Sequence, residues 1–223
     1  MKLKTLVSLA VLCLSLPAAA QQTEKRVYIV GDESIGEMSG KAGSKTAMLR
    51  VSGDKSKTDQ PGNFFVDSVG FAEQSDRPCF VRLDEGTVPT KWADWSSCKG
   101  AAGDWEYLKT DNYFSGVQVC LNKAQDRIKG VRLMVSEMVK QENSVLSKLE
   151  RRKKQTVEMS RPNCDEKDGW ASEQKCDEGS MLTGFKIFYR TGEGVGDTSD
   201  IVSGLAPICR PYTIRTVKVG ADK

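Results

Sequence analysis

The chain has 223 residues, 28% charged and 39% hydrophobic, with seven cysteines, no histidine and a formal net charge of +3. The absence of histidine excludes Ser-His-Asp and Cys-His nucleophilic sites and argues against the usual Cys/His zinc sites. A charge so close to neutral argues against a protein whose function is to neutralise a nucleic acid backbone.

The first twenty residues predict a cleavable secretory signal. Lys2 and Lys4 give a basic start, an apolar stretch runs from Leu6 to Leu16, and Pro17-Ala18-Ala19-Ala20 forms a small-residue cleavage site. The apolar stretch is too short to cross a bilayer, and no other segment predicts a membrane span. We therefore expect a secreted or periplasmic mature chain that begins near Gln21 and carries a net charge of +1, since the signal removes two lysines and no acid.

Residues 21–62 are rich in Gly, Ser, Lys and Asp. Two short runs, Arg26–Val30 and Ala47–Val51, predict strands, the first of them at a sheet edge. The stretch from Asp32 to Lys45 has little apolar material, and this composition favours loops and mobility. We interpret residues 21–62 as N-terminal strands and loops that precede a domain over residues 63–223.

From residue 63 onward, short apolar runs that alternate with polar residues are separated by Gly, Asp and Asn. They predict strands at Phe64–Val66, Phe80–Leu83, Gly116–Leu121, Val131–Val135, Phe185–Tyr189 and Leu205–Cys209. Their regular spacing indicates antiparallel sheets in a sandwich, barrel or prism. The segment Val135–Leu149 fits helical spacing about as well as strand spacing, and its local pattern predicts a helix.

One turn-rich stretch crowds aromatic and polar side chains together: Trp92, Trp95, Asp104, Trp105, Tyr107, Asp111 and Asn112. Aromatic faces stack on sugar rings while carboxylates and amides bind hydroxyls, so the stretch is a candidate carbohydrate site. The alternative is that the tryptophans fill the ends of a small β core.

Three other charged groups have simpler interpretations. The basic run Arg151–Lys154 is read as a solvated strand edge rather than a nucleic-acid or lipid site. We interpret the pair Asp126 and Arg127 as structural residues at the start of a strand rather than as a ligand site. Glu193, Asp197 and Asp200 are a candidate calcium set without the EF-hand spacing, and Asp is also an ordinary turn former. We expect no cofactor.

An internal repeat is visible in the second half of the chain. Phe114–Val119 reappears as Leu182–Ile187, and Asp126–Val131 reappears as Asp200–Leu205, in the same order. A shorter match, Asp67–Phe71, reads as the tail of a third copy. The repeat predicts duplicated sheet units around one core.

Six cysteines remain after the signal is removed: Cys79, Cys98, Cys120, Cys164, Cys176 and Cys209. An even number in an exported chain predicts three disulfides, with fifteen possible pairings that the sequence leaves open.

The second copy of the repeat resembles the vitelline membrane outer layer protein family, whose members are secreted, disulfide-stapled β-prisms of three sheet repeats. The motifs that carry the resemblance are Trp170, Cys176–Ile187, Gly196-Asp197-Thr198, Ser203-Gly204-Leu205 and Cys209. The resemblance is clearest from Cys164 to Arg210. The acidic turn departs from the family pattern, because it has one acid fewer and carries Asp200 where the family has Asn.

The resemblance implies an all-β, antiparallel β-prism-like domain built from degenerate sheet repeats. It implies that Cys176 pairs with Cys209, and that Val135 to Met159 is a hairpin rather than a helix.

Three functions fit these observations. The first is an exported, non-catalytic binding or structural module whose partner is a glycan or cell-surface polymer. The second is a polysaccharide-acting hydrolase or transferase that uses a carboxylate pair, with candidates among Asp104, Glu106, Asp111, Asp197 and Asp200. The third is a secreted protein-interaction or toxin-like module, which would expose a contiguous apolar patch.

Overall fold

A computed structural model describes residues 23–51, 65–74, 76–85, 92–99, 103, 106–140, 147–160, 164, 167, 169–192 and 200–218. The proposed signal, residues 1–20, lies outside this range. No helix in the described ranges is long and apolar enough to cross a lipid bilayer.

The described residues form fourteen strands. They are β1 Thr23–Ile29, β2 Ser34–Ile35, β3 Ser39–Gly40, β4 Lys45–Arg50, β5 Val66–Gln74, β6 Arg77–Glu85, β7 Trp92–Ser96, β8 Glu106–Lys109, β9 Tyr113–Leu121, β10 Ile128–Lys140, β11 Ser147–Ser160, β12 Gln174–Lys175, β13 Ser180–Arg190 and β14 Ile201–Lys218. Every recorded pairing between them is antiparallel.

The strands form three sheets with one shared plan. Sheet I has the order β7-β6-β5-β8, sheet II has β11-β10-β9-β12, and sheet III has β1-β14-β13-β4, with β2 and β3 also on β14. Each sheet is built on a central hairpin, which is β5/β6, β9/β10 or β13/β14. The fold is therefore an all-β prism of repeated sheet units, and the prediction of repeated antiparallel sheets is confirmed.

In sheet III, the first described strand, β1, pairs with the last, β14. β1 pairs along the last part of β14, from Thr23 opposite Lys218 to Ile29 opposite Tyr212, and β4 pairs with β13. The stretch that composition predicts to be mobile carries β2 and β3, which pair with β14. Backbone hydrogen bonds hold these strands, so their polar composition does not prevent pairing.

The three sheets bury their inner faces in one hydrophobic core. Val81 and Leu83 come from sheet I, Val131 and Leu133 from sheet II, and Phe185, Ile187 and Leu205 from sheet III. All seven are completely buried. Alternation along each strand therefore directs one set of side chains into the core and leaves the other set on the outer faces.

The repeated glycines mark close approaches between neighbouring strands. A Cβ on Gly116 would lie 2.5 Å from the Gln174 carbonyl oxygen, and one on Gly184 would lie 2.3 Å from that of Leu49. The two glycines of the repeat thus lie where the backbone of a neighbouring strand, β12 in sheet II and β4 in sheet III, comes close to the central hairpin.

The segment that the local pattern predicts to be a helix is part of a hairpin. β10 pairs with β11 from Gly130 opposite Ser160 to Lys140 opposite Ser147, with a register shift between Met134 and Ser136. The helix prediction is wrong, and the hairpin implied by the family resemblance is confirmed. The backbone of the basic run Arg151–Lys154 is part of β11, which is the edge strand of sheet II.

Three disulfides join Cys79 to Cys98, Cys120 to Cys164, and Cys176 to Cys209. The last pair confirms the pairing that the resemblance implies, and the other two resolve the pairings left open. Cys79–Cys98 staples sheet I, while Cys120–Cys164 ties the segment after β11 back to β9.

A buried lysine joins sheet II to the turn of sheet I. Lys129, at the start of β10, is 2% exposed, and its amino group lies 2.9 Å from the Glu73 carboxylate and 3.0 Å from the Asp76 carbonyl oxygen. It also contacts the Asp76 carboxylate, and Asp76 has a positive φ of 62°. The ammonium group thus has acceptors on the β5–β6 turn that offset its burial.

The disulfide with the longest loop should contribute the most stability. Cys120 and Cys164 are 44 residues apart, against 19 for Cys79 and Cys98. We expect the Cys120→Ala/Cys164→Ala variant to lose about 4 kcal/mol of unfolding free energy, and Cys79→Ala/Cys98→Ala about 3, because longer loops restrict the unfolded chain more. Chemical denaturation of both variants measures the difference, and an unchanged midpoint in either would contradict it.

Removing the two acids that contact Lys129 should lower the free energy of unfolding more than removing the lysine itself. The Glu73→Gln/Asp76→Asn variant leaves a buried cation without its acids and should lose about 3–5 kcal/mol. Lys129→Met leaves the acids at the surface, with the Asp76 side chain 54% exposed, and should lose less. Urea titration of both variants compares the two losses, and a larger loss from Lys129→Met would refute this account.

Candidate functional site

The outer face of sheet I carries the described part of the predicted aromatic site. Leu108 points into the core, so its neighbours Tyr107 and Lys109 on β8 face outward. On β6, Val81 and Leu83 point inward and Arg82 faces outward between them. The strand register aligns Tyr107, Gly70, Arg82 and Asp94 in one row across the four strands.

Tyr107 is an exposed ring at one end of this row. It is 40% exposed and lies over Gly70, where an added Cβ would come within 2.8 Å of the ring. The Lys109 amino group lies 5.6 Å from the ring centroid, and Arg82 makes a hydrogen bond with the Tyr107 side chain. The glycine therefore leaves the space in which the aromatic ring sits on the sheet.

Arg82 lies in the middle of the row and is held by contacts with its neighbours. Its guanidinium donates to the Asp94 carboxylate at 2.9 Å and lies 5.5 Å from the Phe80 ring centroid. Burial acts to lower the pKa of Arg82, but the hydrogen bonds with Asp94 and Tyr107 outweigh it and raise that pKa. The row thus presents an aromatic ring and a matched ion pair on one face of the sheet, with the Lys109 amino group beside the ring.

A second row, next to the first, contains buried polar oxygens. Ser68 pairs with Asp84 on one side and Lys109 on the other, and a register shift at Asp67 precedes it. Ser68 is 4% exposed, and neither its hydroxyl nor Oδ1 of Asp67 has a hydrogen-bond partner among the described residues. Burying such groups without partners costs free energy, so this row is a polar site that the fold itself does not satisfy.

The carboxyl of Asp67 has an altered acidity. Burial raises the pKa of Asp67, and the negative charge of Asp84 raises it further. A hydrogen bond that the Asp67 backbone amide donates to the carboxylate and the positive charge of Lys109 oppose these effects but are smaller. The charged form of Asp67 is therefore disfavoured in the folded protein.

Trp95, predicted as a ligand-binding residue, belongs to the core. It is partly buried against the core cluster, and its ring centroid lies 4.9 Å from that of Tyr189 in sheet III. Trp95 alternates with the outward-facing Asp94 on β7, so the strand period directs it inward. The alternative interpretation, that tryptophan fills the core, describes this residue.

The other predicted residues of this stretch fall in three places. Trp92 pairs with Asp84 through its backbone, and its side chain lies outside the described residues, as do Asp104 and Trp105. Asp111 is exposed and Asn112 is half-buried in the turn after β8, where the Asn112 amide donates to the Thr110 hydroxyl. The Thr110 amide in turn donates to the Asp67 carbonyl, so this turn lies at the Asp67 end of sheet I.

Asp126 and Arg127 hold the turns at the opposite end of the prism. The Asp126 carboxylate accepts from Arg190 at 2.7 Å and from Arg127 at 3.0 Å, and Asn122 accepts from the Asp126 amide. Burial acts to raise the pKa of Asp126, but the hydrogen bonds and the two positive charges outweigh it and lower that pKa. These contacts agree with a structural role.

Of the three calcium candidates, only Asp200 lies among the described residues. Glu193 and Asp197 lie outside them, while the Asp200 carboxylate lies 3.6 Å from the Lys45 amino group. Ser97 donates to the Asp200 carbonyl. Among the described residues, no three acidic or cysteine side chains are grouped as metal ligands.

Sequence reasoning missed Asp67, Ser68, Arg82, Asp84 and Lys109. Asp67 and Ser68 were visible only as part of the third repeat copy, and the other three looked like ordinary solvated residues on short strands. Only the strand register brings them to one surface. The bulge at Asp67 leaves no mark that residue type alone would reveal.

No family model matches this chain, and no curated protein matches its sequence. Several solved structures share parts of its shape. Calystegia sepium agglutinin matches with a TM-score of 0.47 and 9% identity, covering 82% of this chain and 99% of that one. Wild-type Malaysian banana lectin matches with a TM-score of 0.42 and 10% identity, covering 81% and 98%.

The V. cholerae biofilm matrix protein Bap1 matches with a TM-score of 0.45 and 9% identity, covering 89% of this chain and 29% of that one. Similarity this distant carries no conclusion about what the chain binds. The resemblance to the vitelline membrane outer layer family stays a prediction.

Neutralising Asp67 should stabilise the protein at neutral pH. A folded-state pKa above the unfolded value near 3.9 means that the folded protein binds more protons between the two values, so its stability falls as pH rises through that window. Asp67→Asn removes this loss. The variant should unfold at a higher denaturant concentration at pH 7 and lose its advantage at pH 3.

The control for this prediction is Asp94→Asn, which removes an acid that Arg82 pairs with on the same face. It should not raise the unfolding midpoint at pH 7. An Asp67→Asn variant that is no more stable than the wild type at pH 7 would show that Asp67 carries no such penalty.

Proposed function

We propose that this protein is an exported, non-catalytic module that binds a glycan or another cell-surface polymer through the outer face of sheet I. The observation that carries the proposal is the exposed ring of Tyr107, which lies over Gly70 beside the Arg82–Asp94 ion pair. An aromatic plane with a few fixed polar groups is the arrangement that binds the apolar face and the hydroxyls of a sugar.

The polar groups around Tyr107 are suited to sugar hydroxyls. Lys109 is a donor, Asp94 is an acceptor, and Arg82 has further N–H groups on a guanidinium already held in place. Because Arg82 and Asp94 neutralise each other, the face can accept an uncharged ligand at low desolvation cost. Trp92 and Trp105 remain predicted members of this site, since Trp92 is the first residue of β7 and Trp105 directly precedes β8 in the sequence.

Export is part of the same proposal. Three disulfides are stable in an oxidising compartment, and the predicted signal at residues 1–20 would deliver the chain to the periplasm or the exterior. The four strands β1 to β4 would then belong to the prism domain rather than to a separate N-terminal unit. The resemblance of the second repeat copy to the vitelline membrane outer layer family, whose members are found in extracellular coats, supports this location.

The test is binding of the protein, produced under oxidising conditions, to a broad panel of glycans and cell-wall polymers. Tyr107→Ala should weaken binding to the recognised glycan by about tenfold, because a lost stacking contact is worth up to roughly 1.5 kcal/mol. The matched control is Met48→Ala, which removes a side chain of nearly equal exposure, 39%, from sheet III.

Both variants should remain folded, since neither side chain belongs to the hydrophobic core. Equal binding by Tyr107→Ala and the wild type would move the site away from sheet I. Absence of binding across the whole panel would remove glycans as the ligand class and favour a protein partner.

A carboxylate-pair hydrolase is the second candidate, because Asp67 has a raised pKa and Asp84 is the acid that contributes to it. Glycosidases use one protonated and one ionised carboxyl group on either side of the scissile bond. The same panel decides between the candidates. New reducing ends that vanish in Asp67→Asn would establish catalysis, and intact glycans after long incubation would exclude it for the panel.

A further inference from the structure

We infer that Asp67, Ser68 and Asp84 form a subsite for the ammonium group of an amino sugar, such as a deacetylated glucosamine unit in a polysaccharide. The inference rests on the proposed function, and it names the class of sugar that the outer face of sheet I would select. It depends on three oxygen-bearing side chains at neighbouring positions on β5 and β6.

The first argument is the unused hydroxyl of Ser68. Three other buried hydroxyls in this protein donate to backbone carbonyls, namely Ser115 to Met134, Thr183 to Ile208 and Ser203 to Lys41, and a fourth, Ser39, accepts from the Val119 amide. Ser68 is as buried as they are but has no partner within the described chain, and the adjacent Asp67 Oδ1 has none either. Two adjacent side-chain oxygens are thus desolvated and have no donor among the described residues, and a ligand could supply that donor.

The second argument is the match in donor number. An ammonium group carries three N–H donors and no acceptor. Asp67, Ser68 and Asp84 can each offer an acceptor oxygen to one of those donors. A sugar hydroxyl has a single donor and would leave acceptors unused, and an N-acetyl group would place an uncharged amide between two acids.

The third argument is charge. Asp84 pairs with Ser68, next to the register shift at Asp67, and the charges of Asp84 and Lys109 both act on Asp67. Arg82 is already matched by Asp94. The local balance at the subsite is one net negative charge, which favours a cation and disfavours an acidic sugar. Burial and the charge of Asp84 also raise the pKa of Asp67, and the attraction of a bound cation would offset both by stabilising the charged carboxylate.

The fourth argument is position relative to Tyr107. Ser68 and Gly70 are two residues apart on β5 and face the same way, so their rows are about 6.6 Å apart. Tyr107 covers Gly70. A pyranose ring stacked on Tyr107 would therefore bring a substituent of the ring, or of the next unit, to the Ser68 row.

The experiment titrates the protein with three soluble oligomers of equal length, namely glucosamine, N-acetylglucosamine and glucose units in β-1,4 linkage. The glucosamine oligomer should bind at least about tenfold more tightly than the other two. Asp67→Asn and Asp84→Asn should each abolish that preference, and Ser68→Ala should reduce it. Glu37→Gln removes an exposed acid from the loop between β2 and β3 and should leave the preference intact.

The outcomes separate the two proposals. Equal affinity for all three oligomers, or a preference that survives Asp67→Asn, overturns the ammonium subsite and leaves glycan binding at Tyr107 standing. A preference lost equally in Glu37→Gln reveals general charge attraction and also overturns the subsite. Glucosamine binding that resists Tyr107→Ala but requires Asp67 and Asp84 supports the subsite and contradicts the role given to Tyr107.

Discussion

The fold depends on the burial of three apolar sheet faces in one shared core. None of the sheets can bury its inner face alone, because each is a single layer with solvent on its other side. Phe114, Phe185 and Leu83 come from different sheets and are all completely buried. Closure of the core requires sheet III to be complete, and its outer strands come from the N-terminal part of the chain. The two ends of the domain are therefore joined by necessity in one sheet.

This constraint leaves the outer faces free to differ. On sheet II, Trp170 packs over Gly130 and beneath Arg132, whose guanidinium carbon lies 4.2 Å from the ring centroid. That aromatic is half-buried and already has a cation on it. Among the described residues, Tyr107 is the one aromatic side chain that is strongly exposed. An aromatic ring thus lies over a glycine on both sheets. On sheet II the ring is covered by an arginine, whereas on sheet I the ring is exposed.

The sequence predicts the parts of the fold that rest on alternation and repetition. Strands such as β9 and β13 follow from period-two patterns, and the Cys176–Cys209 pairing follows from the family resemblance. The hairpin at β10 and β11 could not be separated from a helix, because Val135, Met138, Val139 and Leu149 fit both periods. In the N-terminal part, the sequence predicts β1 and β4 but not β2 and β3, which have too few apolar residues to be recognised and are held by backbone pairing.

The candidate site was predictable as a region but not as a surface. The sequence places Trp95 and Tyr107 in one cluster, whereas strand alternation sends Trp95 into the core and Tyr107 outward. Asp67 and Ser68 become visible only because a bulge puts an acid beside a buried hydroxyl. A fold that buries two oxygens without partners loses stability at that point. Binding proteins tolerate such losses where a ligand supplies the missing donors, which makes the unsatisfied row a stronger indicator of function than the aromatic stretch beside it.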